Sequence, residues 1–378
     1  MLHIGIVAGE SSGDQLGGAL ITALRERVSD IRITAMAGPR MTAAGCETIA
    51  TVDELSVMGL VEVVRQYPRL RRLRERIYEF YADAKPDVFV GIDVPDFVMN
   101  IEARLRRRGV KTVHYVAPQT WAWRPGRAAK LARNVDLLLA LFPFEVEFFM
   151  QHGVPTAFVG HPVADQFPLA RDSARAREEL GVDPDARVVA IMPGSRRQEL
   201  SRHVDLFLDS AALVHAQLGD TVFIANALNR DAAAYIVERA AARVPSLPLE
   251  VVTGAAHAVL RASDAALVAS GTVTMEGLFA KTPLVVAYKL APLSYFIMKR
   301  MVQVPHIAMP NILAGGQMVP EFVQAAARPE RLAEALMDWL TSAGKVENYV
   351  RQCALQHRLL KRDAATEAAA HVLALAQG

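Results

Sequence analysis

The stretch "LVASGTVTMEGL", residues 267–278, joins a buried strand to a helix through a short polar turn. Its apolar beginning is typical of a strand, and its end has the composition of a helix start. One acid, Glu276, follows the small polar residues of the turn. Strand, polar turn and helix in this order form the repeating unit of a parallel α/β sheet, so the stretch predicts that fold class.

The same unit recurs along the whole chain. "LHIGIVAG" at 2–9 and "KPDVFVGIDVPD" at 85–96 each precede an amphipathic segment. After a polar, charged stretch at 169–186 the alternation restarts with "RVVAIMPGSR" at 187–196, which places the domain boundary near 163–185. We therefore predict an α/β protein with two Rossmann-like, doubly wound domains. The predicted parts are a first domain at 1–165, a second at 180–330, and C-terminal helices at 331–378 that pack back across the domains.

Composition limits the classes of function. The chain has 378 residues, 52% of them hydrophobic and 22% charged, which argues against disorder and suits more than one domain. The formal net charge of +2 argues against a nucleic-acid-binding protein, so any attraction to phosphate or to a membrane must be local.

Cysteine usage and apolar runs indicate the compartment. Cys46 and Cys353 form neither a metal-ligand spacing nor a disulfide framework, which suits a reducing cytoplasm. The beginning, "MLHIGIVAGESSGD", is predicted to be a first strand rather than a signal peptide. No run approaches the ~20 apolar residues of a membrane span, so we expect a soluble protein that can still bind a membrane surface.

Acidic residues follow two strands of the first domain, where ligands of open α/β sheets bind. "AGESSGD" at 8–14 contains Glu10 and Ser12, and its serines are predicted to cap the next helix. "GIDVPDF" at 91–97 contains Asp93 and Asp96; a carboxylate at this place suits a general base, although Asp96 equally suits a helix N-cap.

Phosphate-binding groups follow two strands of the second domain. Gly194 and Ser195 make a turn with donors, and Arg196 supplies a fork suited to pyrophosphate, although a plain turn with a surface arginine would look the same. At the stretch quoted first, the turn offers donors for a diphosphate, and Glu276 is placed either to accept ribose hydroxyls or only to favour the positive helix end. The residues of that turn are Ser270, Gly271 and Thr272.

Three further segments carry candidate contacts. The loop at 309–324 offers Asn311 and Gln324 to a ligand or simply forms a turn. The segment 64–80 is an arginine-rich amphipathic helix, which by itself favours a solvated helix face but also suits an anionic membrane. In the aromatic segment 114–127, tryptophans either stack on a sugar or fill a domain face.

Taken together, the motifs resemble one family, the bacterial lipid-A-disaccharide synthases, over essentially the whole chain. Each motif is weak by itself, but their common order across both domains is specific. In chain order they are "AGESSGD", "SVMGLVEV" (56–63), "KPDVFVGIDVPDF", "HYVAPQTWAWR", "FVGHPV", "MPGSRRQE", "SGTVTME" and "PNILAGG".

The resemblance implies a GT-B glycosyltransferase, with two Rossmann-like domains facing across a cleft and with no metal or cofactor. It implies that UDP-2,3-diacylglucosamine is joined to 2,3-diacylglucosamine 1-phosphate (lipid X) in lipid A biosynthesis, forming a β-1,6 disaccharide and UDP. An α-linked donor and a β-linked product mean inversion. The implied setting is cytoplasmic and peripheral on the anionic inner membrane, with no nucleic acid as partner, and it allows for a homodimer.

The resemblance also implies roles for individual residues. Asp93 is the expected general base with Glu10 as its rival, and Ser12 helps to hold substrate. The donor site comprises Gly194, Ser195, Arg196, Ser270, Gly271, Thr272, Glu276, Asn311 and Gln324. The acceptor and membrane side comprises Arg69, Arg72, Trp121, Trp123 and Arg124.

Two alternatives remain. One is another GT-B enzyme acting on UDP-N-acetylglucosamine, an epimerase or a murein-precursor transferase, against which the acidic motifs at 8–14 and 91–97 argue. The other is a non-catalytic UDP- or lipid-binding protein, against which the retained Glu10, Asp93, Arg196 and Glu276 argue.

Overall fold

The chain folds into two units, each built on one parallel sheet. The computed structural model describes residues 1–55, 60–123, 126, 128–291, 295–296 and 304–377, and of residues 60–65, 122 and 123 only the backbone. The first unit comprises Met1–Asp165 with Leu360–Gly378, and the second comprises Gln166–Leu359.

The strands come directly before the predicted polar turns. They are β1 Leu2–Ala8, β2 Ile31–Ala37, β3 Glu47–Thr51, β4 Val88–Ile92, β5 Lys111–Tyr115, β6 Leu137–Ala140, β7 Thr156–Phe158, β8 Arg187–Met192, β9 Thr221–Ala227, β10 Leu249–Thr253, β11 Ala265–Ala269, β12 Leu284–Tyr288 and β13 Glu321–Val323.

Helices separate most of these strands. They are α1 Ser11–Arg27, α2 Pro39–Ala43, α3 Leu60–Ala84, α4 Pro95–Arg106, α5 Thr120–Trp123, α6 Ala128–Leu131, α7 Pro143–Gln151, α8 Pro162–Asp165, α9 Ser173–Leu180, α10 Arg197–Gln217, α11 Arg230–Arg243, α12 Ala256–Ala262, α13 Val273–Ala280, α14 Met309–Ala314, α15 Pro329–Thr341, α16 Ala343–Leu360 and α17 Ala364–Gln377. Single 3₁₀ turns lie at Val52–Glu54 and Gln324–Ala326.

Both sheets have the predicted doubly wound topology. The strand order is β3-β2-β1-β4-β5-β6-β7 in the first sheet and β10-β9-β8-β11-β12-β13 in the second, with parallel pairing throughout. The order reverses between β1 and β4 and again between β8 and β11. These two switch points are where ligands bind in open α/β sheets. The prediction of an α/β fold with two such domains is confirmed.

The central strands are apolar because helices cover them on both faces. All five residues of β4 and of β11 are buried. In the first unit, α1 packs on one face of the sheet, while α3 and α4 contribute Ile77 and Ile101 to a separate core on the other face.

The C-terminal helices divide between the two units. In α15, Trp339 is buried and its Nε1 donates a hydrogen bond to the carbonyl of Leu284 in β12 (3.1 Å). In α17, Ala368 and Val372 pack into the core that α1 shares with the first sheet. The segment 331–378, treated above as one group, thus supplies α15 and most of α16 to the second unit and α17 to the first.

Candidate active site

The first switch point brings the loops after β1 and β4 together. In the sheet register Ala8 pairs with Ile92, so the chain leaves the two strands side by side at Gly9 and Asp93. A Cβ atom at Gly9 would lie 2.2 Å from Cγ2 of Val94, closer than any real contact. Glycine at position 9 is therefore what allows the two loops to approach this closely.

Asp93 is held in an unusual backbone conformation. Its φ is +54° and that of Val94 is +42°, a left-handed region that a β-branched residue rarely occupies. The amide of Asp93 donates to the carbonyl of Tyr115 (2.9 Å), and its Oδ1 accepts from the amide of Val94 (2.8 Å). Within the described residues no hydrogen bond occupies Oδ2. Strain of this kind is typical of functional positions. The hydrogen bond from Val94 holds one carboxylate oxygen of Asp93, and the other is left open.

Glu10 lies on the loop that faces this turn. It is exposed and occupies the N-cap position of α1, without a capping hydrogen bond from its side chain. The predicted capping by the serines is wrong, because Ser11 and Ser12 are themselves the first residues of the helix. Both are exposed, so Ser12 stays available to a substrate.

Two other acids, Asp14 and Asp96, lie near the first switch point. Asp14 is buried and accepts hydrogen bonds from the amides of Gly38, Arg40 and Met41 (2.9–3.0 Å), which fixes the start of α2. An N-cap role for Asp96 is wrong: Val94 is the N-cap of α4 and Pro95 begins the helix, so the exposed Asp96 lies in its first turn.

A buried pair ties α4 to β5 behind the turn. Nδ1 of His114 and Oε1 of Glu102 are hydrogen-bonded at 2.8 Å, and neither side chain is exposed. Burial raises the pKa of Glu102. His114 is thus a packed, hydrogen-bonded residue. Sequence reasoning missed Glu102, although its position four residues after the buried Val98 places it on the inner face of the helix.

Trp121 packs within the first unit. Its Nε1 donates to Oε1 of Glu145 (3.2 Å), and its ring meets Phe144 edge to face at 4.8 Å. Burial raises the pKa of Glu145 to about 8, although hydrogen bonds from the amides of Phe142 and Leu141 and from Trp121 act to lower it. Arg124 and the side chain of Trp123 lie outside the described residues, as do residues 56–59 of "SVMGLVEV".

The basic helix α3 turns its apolar side toward the core. Leu73 and Ile77 are buried there, which supports the interpretation of 64–80 as a helix with a solvated basic face. Arg69 is exposed and donates to Oε1 of Gln66 (2.8 Å) and to the carbonyl of Glu54 (3.2 Å), and Arg72 is exposed.

At the second switch point, an acidic side chain accepts hydrogen bonds from the backbone amides of the loop after β8. Gly194 has a φ of +109°, and Glu199 lies directly against it. Oε2 of Glu199 accepts from the amides of Ser195 (3.1 Å) and Arg196 (3.2 Å), so those amides are not available to a phosphate. The side chain of Arg196 is 83% exposed. Sequence reasoning missed Glu199, although an acid three residues after an N-cap is a capping-box signal.

The loop after β11 lies beside it, because Met192 of β8 pairs with Val268 of β11. Gly271 and Thr272 are exposed, and within the described residues their amides have no acceptor. The hydroxyl of Ser270 donates to the carbonyl of Ile307 (3.0 Å), which fixes the turn. The open amides of this turn are therefore better placed for a diphosphate than those of Ser195 and Arg196.

Glu276 is partly buried in the first turn of α13. Burial raises its pKa, and its Oε1 lies 3.9 Å from Nε2 of His257. His257, in turn, lies in α12 and has its pKa lowered by burial. Sequence reasoning missed His257, which no motif marks because it follows a different strand, β10.

Asn311 is fully used inside the chain. Its Nδ2 donates to the carbonyl of Val319 (2.9 Å) and to Oε1 of Glu321 (2.7 Å), while its Oδ1 accepts from the amides of Met318 (2.7 Å) and Val319 (2.8 Å). An amide can make four such bonds in all. The structure therefore gives Asn311 a role in shaping the loop around α14.

Gln324 links the ends of two strands. Its φ is +53°, its Nε2 donates to the carbonyl of Leu290 (3.2 Å), and its Oε1 accepts from the amide of Leu290 (3.4 Å). Across the parts of the chain that the structure describes, no group of three His, Cys, Asp or Glu side chains is placed to hold a metal ion.

Comparison with known proteins identifies the family. The sequence model described as "Lipid-A-disaccharide synthetase" matches residues 4–375. The chain belongs to this family. The resemblance inferred from the motifs is thereby confirmed.

A curated relative supports the same assignment. The lipid-A-disaccharide synthase of Pseudomonas paraeruginosa is 45% identical over 379 residues, covering 100% of this chain and 98% of that protein. The family description and the relative's name both denote an enzyme that makes the lipid A disaccharide.

Solved structures share the fold at low identity. A putative UDP-N-acetylglucosamine 2-epimerase from Listeria monocytogenes has a TM-score of 0.66 at 15% identity, covering 99% of this chain and 95% of that one. The kitacinnamycin glycosyltransferase has a TM-score of 0.64 at 18% identity, covering 99% and 98%. At these identities the likeness concerns the fold alone, so the family match, not the epimerase likeness, separates the alternatives. Each helix within the described ranges falls short of the length or the hydropathy that a membrane-spanning segment needs.

Proposed function

We propose that this protein is an inverting glycosyltransferase that joins UDP-2,3-diacylglucosamine to 2,3-diacylglucosamine 1-phosphate, giving the β-1,6 lipid A disaccharide 1-phosphate and UDP. Its substrates are thus a nucleotide sugar and a phosphorylated lipid. The match of the family over residues 4–375 carries the proposal. It agrees with an open carboxylate at one switch point and open amides at the other.

Asp93 acts as the general base. Its Oδ2 takes the proton of the acceptor 6-hydroxyl while that oxygen attacks the anomeric carbon of the donor. The bond from the anomeric carbon to the diphosphate oxygen breaks, UDP leaves with that electron pair, and the configuration inverts. The fixed hydrogen bond from Val94 to Oδ1 keeps the carboxylate oriented for this proton transfer.

The leaving diphosphate is bound by Arg196 and by the turn after β11. The exposed guanidinium of Arg196 supplies charge, and the amides of Gly271 and Thr272 supply directed donors. Because Glu199 occupies the amides of Ser195 and Arg196, the contribution of that loop falls to its side chains.

Glu276 binds the ribose of UDP through its carboxylate, which accepts hydrogen bonds from the two hydroxyls. We expect Glu276→Gln to raise the Kd of UDP about tenfold, as the loss of a charge-assisted hydrogen bond does. The melting temperature should stay the same or rise, because burial already disfavours the charged carboxylate. Calorimetric titration with UDP, alongside thermal unfolding, measures both.

The matched control is Glu238→Gln, which removes an exposed acid from α11 of the same unit. This variant should keep the Kd of the unchanged protein. An unchanged UDP affinity in Glu276→Gln would leave Glu276 with only its role at the helix end.

The reaction itself is tested with purified protein and the two substrates. We expect the disaccharide 1-phosphate and UDP in equal amounts, with the new linkage β by NMR. A protein that binds UDP but forms no disaccharide would be a binding protein. A product of changed configuration at C2 of the sugar of UDP-N-acetylglucosamine would indicate an epimerase.

We further propose that the first unit associates peripherally with the anionic inner membrane at its cytoplasmic side. The exposed Arg69 and Arg72 on α3 support this, since clustered arginines attract anionic lipids. Co-sedimentation with phosphatidylglycerol vesicles, compared with phosphatidylcholine vesicles, measures the association. A homodimer stays a prediction.

A further inference from the structure

A groove of about 550 Å³ runs along the outer face of α4 in the first unit. Met99 and Ala103, one turn apart on α4, contribute apolar surface to it. The side chains of four basic residues from α3, the end of α4 and the region of α6 also line it. These are Arg74, Arg107, Lys130 and Arg133.

The basic residues of this groove differ from the neighbouring arginines of α4 in having no carboxylate partner among the described residues. Arg104 makes two hydrogen bonds to the carboxylate of Glu75 (2.8 and 2.6 Å), and Arg106 binds Asp136 (2.8 Å). In the described part of the chain, none of the four groove cations forms an ion pair with a carboxylate. Cations that converge on one recess favour an anionic ligand. Among the described lining residues Asp96 is the one acid, so the described lining carries a net positive charge.

The groove begins next to the proposed base. Pro95 and Asp96 line one end of it, two and three residues after Asp93. From there to Arg107 the helix rises about 16 Å, at 1.5 Å per residue. A ligand in the groove therefore starts at the switch point and extends away from it along the helix.

We infer that this groove binds the acceptor, an acylated sugar phosphate, with its phosphate on the cations and the first part of an acyl chain on Met99 and Ala103. The inference rests on the proposed function and adds the residues that select a phosphorylated acceptor. A groove of this volume has room for the headgroup of one lipid molecule, whereas a membrane surface contacts only side chains that protrude from the protein. Arg69 and Arg72 on α3 do not line it, so the groove is distinct from the proposed membrane contact.

The test compares two double variants that remove the same charges. Lys130→Gln with Arg133→Gln neutralises the groove, while Lys111→Gln with Arg108→Gln removes one lysine and one arginine at exposed positions outside it. Kinetics in detergent micelles use two acceptors, 2,3-diacylglucosamine 1-phosphate and the same lipid without its phosphate.

We expect the groove variant to raise the KM of the phosphorylated acceptor at least tenfold, with the KM of the donor unchanged. With the phosphate-free acceptor, the groove variant and the unchanged protein should have equal KM values, and the control variant should match the unchanged protein throughout. An equal effect on both acceptors, or no effect on either, would overturn the inference.

Binding without turnover separates this inference from the proposed function. A short-chain diacylglucosamine 1-phosphate is titrated into the unchanged protein and the groove variant in the absence of donor. Binding that the groove variant loses supports the inference even if no disaccharide is ever formed. If the groove variant binds the acceptor as the unchanged protein does and still makes disaccharide normally, the inference is contradicted and the proposed function is not.

Binding to vesicles tests whether the groove cations instead bind the phosphates of membrane lipids. Loss of binding to phosphatidylglycerol vesicles in the groove variant, with unchanged KM values in micelles, would assign the cations to the membrane instead and overturn the inference. Retained vesicle binding with the raised KM would support it.

Discussion

Asp93→Asn is expected to lower kcat about 10²- to 10⁴-fold, the usual contribution of a general base. The amide cannot take a proton from the acceptor hydroxyl, yet its oxygen still accepts from the amide of Val94. Asparagine is also tolerated at the φ of +54°, so the turn should persist where alanine would add strain. Steady-state kinetics with both substrates, with melting temperature as the check on folding, measure the effect.

Glu10→Gln is the matched comparison, because Glu10 is exposed on the neighbouring loop and its side chain makes no capping hydrogen bond. We expect it to keep kcat within about tenfold of the unchanged protein, which is below the range of a lost general base. The reverse pattern, with a large loss in Glu10→Gln and a small one in Asp93→Asn, would make Glu10 the base.

Asn311→Ala is expected to lower the free energy of unfolding by about 3 kcal/mol or more, since buried groups left without partners cost about 1–3 kcal/mol each. The substitution strands the amides of Met318 and Val319 and removes a donor to Glu321. Because Glu321 also accepts from the amide of Ala308, the start of α14 should loosen with it. Urea unfolding of the second unit reports the change.

Asn229→Ala is the control for the same substitution at a single hydrogen bond. Asn229 is the exposed N-cap of α11, and in the described part of the chain its side chain makes one hydrogen bond, accepted from the amide of Ala232 (2.9 Å). Its loss should cost about 1 kcal/mol, as for other N-caps. Should Asn311→Ala instead weaken UDP binding while unfolding stays unchanged, Asn311 would be a ligand contact rather than a support of the loop.

The strands and the two switch points were predictable because they follow from local patterns. Apolar runs bounded by glycine, aspartate or proline mark strands, and parallel strands place their following residues at one edge of a sheet. This rule alone marked Asp93 and Glu276 as candidate site residues. Chain order also suggested the two domains, since the alternation of strands and helices restarts at 187–196.

Side-chain partners were not predictable, because the path of each loop decides which groups a side chain meets. No sequence pattern around Asn311 shows that Val319 and Glu321 form hydrogen bonds with its side-chain amide. The position of Glu199 in the first turn of α10 is only a weak sign that it accepts from the amides of Ser195 and Arg196. Capping by Ser11 and by Asp96 was misassigned because a helix start shifts by one or two residues with the path of the preceding loop.

For this protein, local sequence specifies the class of fold and the places where chemistry-bearing residues gather, because hydrophobic periodicity and turn residues act within a few positions. Which of those residues stay open to a substrate depends on the three-dimensional packing. Hydrogen bonds are satisfied across the sheet and between helices, so Oδ2 of Asp93 and the amides of Gly271 and Thr272 stay open while Asn311 does not. The basic groove on α4 has the same origin, since α3, α4 and the α6 region meet only in the folded unit.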